Sequence, residues 1–304
     1  MDKFLAKYLN KAPKSFFYKM MRKKNITLNG KKCEGNEKLA EGDVVKLFLA
    51  EDTIEKFSNV QVQEVKKVDL DILYEDDEII LVNKPAGMLS QKAKETDESL
   101  VEYLIDYLLG SGKLTESGLR AFRPSVCNRL DRNTSGLILV AKNKYAAQQL
   151  EGQRASHTLS RVYLALTEGH WSNQSKSGLI DRPIEKVPDC FNRYQVSDTG
   201  RPSRTEYEVL SEFSHEGTPF SLVRLKLQTG RTHQIRVHMA SLSHPLMGDS
   251  IYGHAGFLGF NRAALHSFEI TCQLPGCQEA TVFSSGMPID FQKLIAHSSS
   301  IPYL

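Results

Sequence analysis

Apolar positions along this chain follow two periods, and each period predicts a different element. Near the start, Phe4, Leu5, Tyr8 and Leu9 recur at helical spacing until Pro13 breaks the pattern. Ser15 stands where a cap is wanted, ahead of Phe16, Phe17, Met20 and Met21, which predict a second helix. Ile26-Thr27-Leu28 alternates into the tight-turn pair Asn29-Gly30, and Glu41-Gly42-Asp43 leads into an apolar strand, Val44 to Leu49. Residues 51–67 are polar, mixed in charge and without a core face, and are expected to be a linker.

Beyond the linker short strands dominate. Leu70–Leu73 and Ile79–Val82 flank an acidic turn. Leu100, Tyr103, Leu104, Tyr107 and Leu108 mark an amphipathic helix stopped by Gly110, with a polar, Gly-rich loop following over residues 110–123. The continuous apolar run Leu137 to Ala141 reads as a buried strand, after which Asn143 caps a helix extending to about Arg154. Val162–Leu166, Thr205–Leu210 and Phe220–Leu227 are further strands, interrupted by an irregular stretch over residues 170–201. A turn at Thr229 enters a short helix reaching Met239. Ala264–Thr271 and Glu279–Phe283 make a last hairpin, and Ile289–Ala296 a closing helix. Many strands at hairpin spacing and few helices predict an α+β domain on a largely antiparallel mixed sheet over residues 68–304. A small N-terminal α/β module is expected over residues 1–50.

Composition adds a charge asymmetry to this picture. The 304 residues suit one core-sized domain plus a small module, and the net charge of +3 is modest. Residues 1–50 hold 12 Lys/Arg against 5 Asp/Glu, a balance of +7, which leaves −4 for residues 51–304. A basic module on a near-neutral body is the footprint of nucleic-acid binding, although a well-solvated surface has the same composition. The lysine-rich face holds Lys19, Arg22 and Lys23. No apolar run approaches a membrane span, and Met1-Asp2-Lys3-Phe4-Leu5-Ala6-Lys7 is too charged for a signal peptide, so a cytoplasmic protein is expected. The five scattered cysteines suit a reducing compartment, and Cys272 and Cys277 lack the second ligand pair of a zinc site. No surplus hydrophobic stripe calls for a partner copy, so a monomer is expected.

Three blocks carry the candidate chemistry. In the first, Asn128-Arg129-Leu130-Asp131-Arg132 meets the turn Asn133-Thr134-Ser135-Gly136 just before the buried strand. A carboxylate where the chain enters a sheet is held rigidly, and arginines on both sides offset its charge, although Asp, Thr, Ser and Gly also suit a plain turn. The second, Asn83-Lys84-Pro85-Ala86-Gly87, is either a rigid turn or a device that sets Lys84 over a phosphate. The third runs from Leu227 through Arg231, His233 and Arg236 to His238. His233 and His238 are five apart, not the four that aligns metal ligands on a helix, and no metal is expected. His266 reads as a hydrogen-bonded core histidine.

In this order and at these separations the blocks resemble the RluA-like family of RNA pseudouridine synthases, over residues 68–295. Arg161–Leu166 and His244–Asp249 are similar to further segments of that family. The resemblance implies an isomerase with Asp131 as the catalytic aspartate. Tyr163 would pack against the target base, and Arg236 would pair with the aspartate. Such an enzyme needs no cofactor. Many family members have His where this chain has Asn128, which bears on subgroup and substrate. Arg129 is a candidate to fill the space of an extruded uridine, and Arg132, Arg231 and Lys84 are candidate RNA contacts. Residues 1–50 resemble the ribosomal-S-four-like RNA-binding module in shape and charge. The implied partner is structured RNA, with ribosomal RNA ahead of transfer RNA. Two rivals stand beside this reading: a ribosome-assembly factor that uses the fold only to bind, and a glycoside hydrolase. The latter needs a second carboxylate that the motifs do not supply.

Overall fold

The computed structural model describes residues 1–40, 42–58, 62–171 and 174–300. Glu41 of the Glu41-Gly42-Asp43 segment, residues 59–61 of the linker, residues 172–173 of the irregular stretch and residues 301–304 of the larger domain lie outside them. Contacts divide the chain into two units: Met1–Lys66 with Glu102–Pro124, and Lys67–Val101 with Ser125 onward.

In the first unit, helical spacing produces α1 (Asp2–Tyr8) and α2 (Lys14–Arg22). Pro13, extended at φ −67°, takes the cap position of α2, so Ser15 lies inside the first turn and not at the cap expected for it. β1 (Ile26–Leu28), β2 (Lys31–Lys32) and β3 (Val45–Leu47) form an antiparallel sheet in the order β2-β1-β3. Leu5, Leu9, Phe17, Met21 and Ile26 make the core. The linker reading needs correction, because Glu51–Phe57 is a helix, α3. Its Ile54 and Phe57 join that core, with the Phe57 ring 4.5 Å from Phe16. Two apolar residues in a seven-residue polar stretch make too faint a pattern to stand out. α4 (Leu100–Gly110) crosses the division between units. The expected loop after it holds a further helix, α5 (Glu116–Ala121), capped by Thr115, whose hydroxyl accepts from Gly118 N at 3.1 Å.

The second unit is organised on one large sheet. Its strands in chain order are β4 (Ile72–Glu75), β5 (Ile79–Lys84), β6 (Ser125–Val126), β7 (Ser135–Ala141), β8 (Ser160–Glu168) and β9 (Ser177–Asp181). A separate ribbon follows, β10 (Ile184–Lys186) with β11 (Tyr194–Val196), which with β9 gives the irregular stretch a structure its short mixed segments conceal. Then come β12 (Arg204–His215), β13 (Thr218–Leu227), β14 (Leu265–Gln273), β15 (Ala280–Ser284) and β16 (Ser299–Ser300). The order is β16-β12-β13-β8-β14-β7-β5-β4, with β15 on β14, β6 on β7 and β9 on β12. Every pair is antiparallel except β7 with β14, so the sheet is mixed and largely antiparallel.

β7 is buried along its whole length, which is why it reads as an unbroken apolar run. α6 (Lys144–Ala155) follows, with Asn143 Oδ1 accepting from Ala146 N at 2.9 Å. It adds Ala146 and Leu150 to the core of Leu137, Leu139, Ile79 and Leu81. α7 (Gln234–Ser241) lies beyond β13. α8 (Ile289–Ala296) sends Phe291 into a second core with Phe213, Phe220, Leu164 and Leu166. Gly136 sits where β7 runs beside β14. It has φ +108°, and a Cβ there would lie 2.2 Å from the Ser267 carbonyl oxygen. Only glycine permits that approach, so the Thr-Ser-Gly of the first block is fixed by sheet packing.

Candidate active site

The loop carrying Asp131 is tied down on both sides. Before it, the buried Asn128 accepts from Leu139 N at 2.8 Å and donates to the Leu137 carbonyl at 3.0 Å. Its side chain thereby continues the β6–β7 ladder by one more step. After it, the Ser135 hydroxyl meets His266 Nδ1 at 2.8 Å, and His266 Nε2 meets Ser285 Oγ at 2.8 Å and the Gly286 carbonyl at 3.0 Å. Burial pushes the His266 pKa down to about 4, against the pull of the Gly286 carbonyl, and the ring stays neutral as a core histidine. Thr134 N donates to the Asp131 carbonyl at 3.1 Å and closes the turn between.

Lys84 belongs to this scaffold and not to an RNA surface, which corrects the phosphate reading. It is fully buried, and its ammonium donates to the carbonyls of Pro85 (2.8 Å), Met88 (2.9 Å) and Arg132 (3.1 Å). Burial lowers its pKa to about 7, opposed by the charge of Asp131 and helped by that of Arg262. Strand β5 delivers Lys84, so the second block braces the first from beneath.

The third block supplies the partners of Asp131. Gln234 gathers the turn: its Oε1 accepts from Thr229 Oγ1 at 2.8 Å and Arg231 N at 3.0 Å, while its Nε2 donates to the Arg204 carbonyl at 2.9 Å. His233 stands at the N-cap of α7 in the left-handed region, φ 55°. Its Nε2 lies 3.6 Å from Asp131 Oδ2, and its Nδ1 meets the Tyr252 hydroxyl at 3.0 Å. One turn along, Arg236 Nη1 donates to Asp131 Oδ2 at 3.2 Å. Its Nε and Nη2 each donate at 2.7 Å to the two oxygens of buried Asp249, a bidentate pair.

Electrostatics follow from this sharing. Burial works against the charge on Arg236, but Asp249 first and Asp131 second outweigh it and raise its pKa above that of an ordinary arginine. For Asp249 burial likewise opposes ionisation, and the bonds and charge of Arg236 overcome it, so its carboxyl lies below the usual range. Burial lowers the pKa of His233, with Asp131 pulling upward and Arg236 downward. A neutral imidazole and a permanent cation therefore flank the Asp131 carboxylate.

These groups open onto a cleft of about 690 Å³. Asp131, Tyr163 and Arg236 line it together, with Arg129, Arg132 and Arg231 exposed at its border. Tyr163 comes from β8, beside Leu225 on one neighbour and Ser267 on the other. It is 4% exposed, and burial raises its phenol pKa, so it stays protonated. The other lining carboxylate, Glu151, is tied to Arg154 by two hydrogen bonds. That removes it as the free second carboxylate a glycosidase needs. Among the described residues no cluster of three or more His, Cys, Asp or Glu is placed to hold a metal ion. Lys19, Arg22 and Lys23 lie exposed in the first unit, the first two on α2 and Lys23 at its C-cap. His238, bonded to Thr205 Oγ1 and the Arg182 carbonyl at 2.9 Å each, serves the core.

Sequence reasoning did not find His233 or Asp249 as partners in this site. Spacing carried a signal for the first, because positions three apart on a helix share a face, and His233 precedes Arg236 by three.

Comparison with known proteins shows the family to which the chain belongs. The RNA pseudouridylate synthase family model matches residues 78–241. An RNA pseudouridine synthase of Bacillus subtilis (strain 168) is 32% identical, over 97% of this chain and 92% of its own. The ribosomal large subunit pseudouridine synthase C of Escherichia coli (strain K12) is 32% identical, over 92% of this chain and 86% of its own. Among solved structures, the human RNA pseudouridylate synthase domain containing 1 superposes with a TM-score of 0.59 at 27% identity, covering 80% of this chain and 93% of that one. The chain belongs to the RluA-like family of RNA pseudouridine synthases and is an enzyme of that class.

Proposed function

We propose that Asp131 performs the isomerisation of uridine to pseudouridine in large-subunit ribosomal RNA. The N-glycosidic bond must break, the uracil must turn, and the ring must rejoin the ribose through carbon 5, which gives up its proton while nitrogen 1 ends with one. A carboxylate beside the sugar serves this by attacking carbon 1′ or by drawing off the 2′ proton. The observation that carries the reading is a partly exposed carboxylate fixed by Arg236 and His233 within one cleft that Tyr163 also lines. Arg236 positions it and balances its charge. Tyr163 packs against the turning base and, as a protonated phenol, offers a hydrogen bond and not a negative charge. Extruding the uridine costs a few kcal/mol, and Arg129 at the border is suited to fill the vacated stack.

The choice of RNA rests on relatives named ribosomal large subunit pseudouridine synthases, among them those of Escherichia coli and Vibrio vulnificus. In this reading residues 1–50 act as a ribosomal-S-four-like clamp, with Lys19, Arg22 and Lys23 on phosphates. The protein works as a cytoplasmic monomer; no helix among the described residues is long and apolar enough to cross a membrane.

The test maps pseudouridines at single-nucleotide resolution across total RNA from cells without the protein, rescued by wild type or Asp131→Asn. A ribosomal site restored by wild type alone is the expected result. A site in transfer RNA would overturn the substrate, and rescue by Asp131→Asn would overturn the role of the aspartate.

A further inference from the structure

Three of the arginines that line the cleft have work within the protein. Arg236 is held by Asp249 and Asp131, Arg154 by Glu151, and Arg231 donates through Nε to the Pro202 carbonyl at 3.2 Å. Arg161 differs. It lines the cleft and is only partly exposed, yet its Nε is shut off from solvent with no acceptor among the described residues. Two residues before Tyr163 on β8, it projects from the same strand face.

Its neighbour Gly230 records where the guanidinium lies. A Cβ at Gly230 would stand 2.9 Å from Arg161 Nη1. The φ of Gly230 is not in the left-handed region, so the position calls for space and not for a special backbone. The turn between β13 and α7 thus leaves room for a guanidinium whose buried Nε meets no acceptor among the described residues.

A cation drawn partly out of water without a counter-charge is costly in the free enzyme, and its planar fork fits an anion offering two oxygens. RNA carries such an anion at every nucleotide. We propose that Arg161 binds a phosphodiester of the target RNA, at the uridine to be isomerised or next to it. The proposal rests on the reading that the Asp131 cleft receives the target nucleotide. A phosphate held here, on the strand face of Tyr163, orients the extruded nucleotide so that its sugar meets Asp131. The bond is partly shielded from solvent and is therefore stronger than contacts made by exposed Arg129, Arg132 or Arg231.

The test uses the full chain and total RNA from cells lacking the protein, scored at the mapped uridine over a range of RNA and salt concentrations. Arg161→Gln should raise the RNA concentration for half-maximal rate about tenfold, with the smaller share of the loss in kcat. The salt dependence of binding should fall by about 0.7 in log–log slope for a single-stranded contact. Arg161→Lys, which keeps the charge without the fork, should restore the slope but only part of the affinity. Gly230→Ala should weaken binding by crowding the guanidinium, and should add little in the Arg161→Gln background.

An unchanged salt slope in Arg161→Gln overturns the phosphate and leaves a base contact in its place. Unchanged affinity overturns the proposal altogether. Asp131→Asn, measured for turnover and binding alongside, separates the two readings: an active Asp131→Asn enzyme defeats the site, while a dead one with indifferent Arg161 variants defeats only this inference.

Discussion

In the catalytic unit Asp249 is fully buried and gives both oxygens to Arg236. On α2 of the N-terminal unit and at its C-cap, Lys19, Arg22 and Lys23 stand exposed. The same kinds of charge serve two purposes. Buried ones are locked to partners, so they position the reacting carboxylate and bear directly on folding stability. Solvated ones bear little on the fold and act through what binds them, at an affinity that salt erodes.

Substitutions can strain this contrast from both sides. The largest effect is expected from Asp249→Ala, which leaves Arg236 buried without its main counter-charge. Urea unfolding should show a loss of about 4 kcal/mol, with activity falling because Asp131 loses its aligned partner. A stability within experimental scatter of wild type would mean that the buried pair is not coupled to the fold.

The next effect belongs to pH. His266 has its pKa depressed to about 4 in the folded state, against 6.5 for the free group. The unfolded chain binds the extra proton first as pH falls through 6.5, so stability should drop between about pH 6.5 and 4 and level off below. The loss attributable to this group is about 3 kcal/mol, read as the difference in pH dependence between wild type and His266→Gln. Equal pH profiles would remove His266 from the account.

The smallest effect on folding comes from replacing Lys19, Arg22 and Lys23 by alanine. Unfolding should shift by less than about 0.5 kcal/mol. RNA affinity should nevertheless weaken, with the log–log salt slope reduced by about 2 to 3 if all three meet phosphates. A large stability loss with an unchanged slope would reverse the contrast for this unit.

Much of the catalytic unit was readable because its chemistry lies in contiguous blocks beside strong periodicities. Asp131 precedes an unbroken apolar run, and Tyr163 and Arg236 sit within segments that resemble family motifs. What could not be read depends on convergence in space. Lys84 looks like a surface lysine after a strand until carbonyls from Pro85, Met88 and Arg132 are seen to meet its ammonium. His233 reaches Asp131 because one residue adopts a left-handed conformation, which no hydrophobic pattern announces. α3 and α5, with seven and six residues, are too short to impose a period. For the same reason the recruitment of residues 102–124 into the first unit left no compositional trace.

Asn128 ties the chain to β7 three residues before Asp131 through one acceptor and one donor, its own oxygen and nitrogen. A neutral imidazole at this place would also offer one of each, but on gaining a proton it would become a donor at both nitrogens and lose the bond from Leu139 N. An amide has no such transition. The tie that Asn128 makes between the catalytic loop and β7 is therefore indifferent to acidity across the physiological range. Sensitivity to acidity within the scaffold falls instead to Lys84, whose ammonium holds the Arg132 carbonyl and whose pKa burial brings down to about 7.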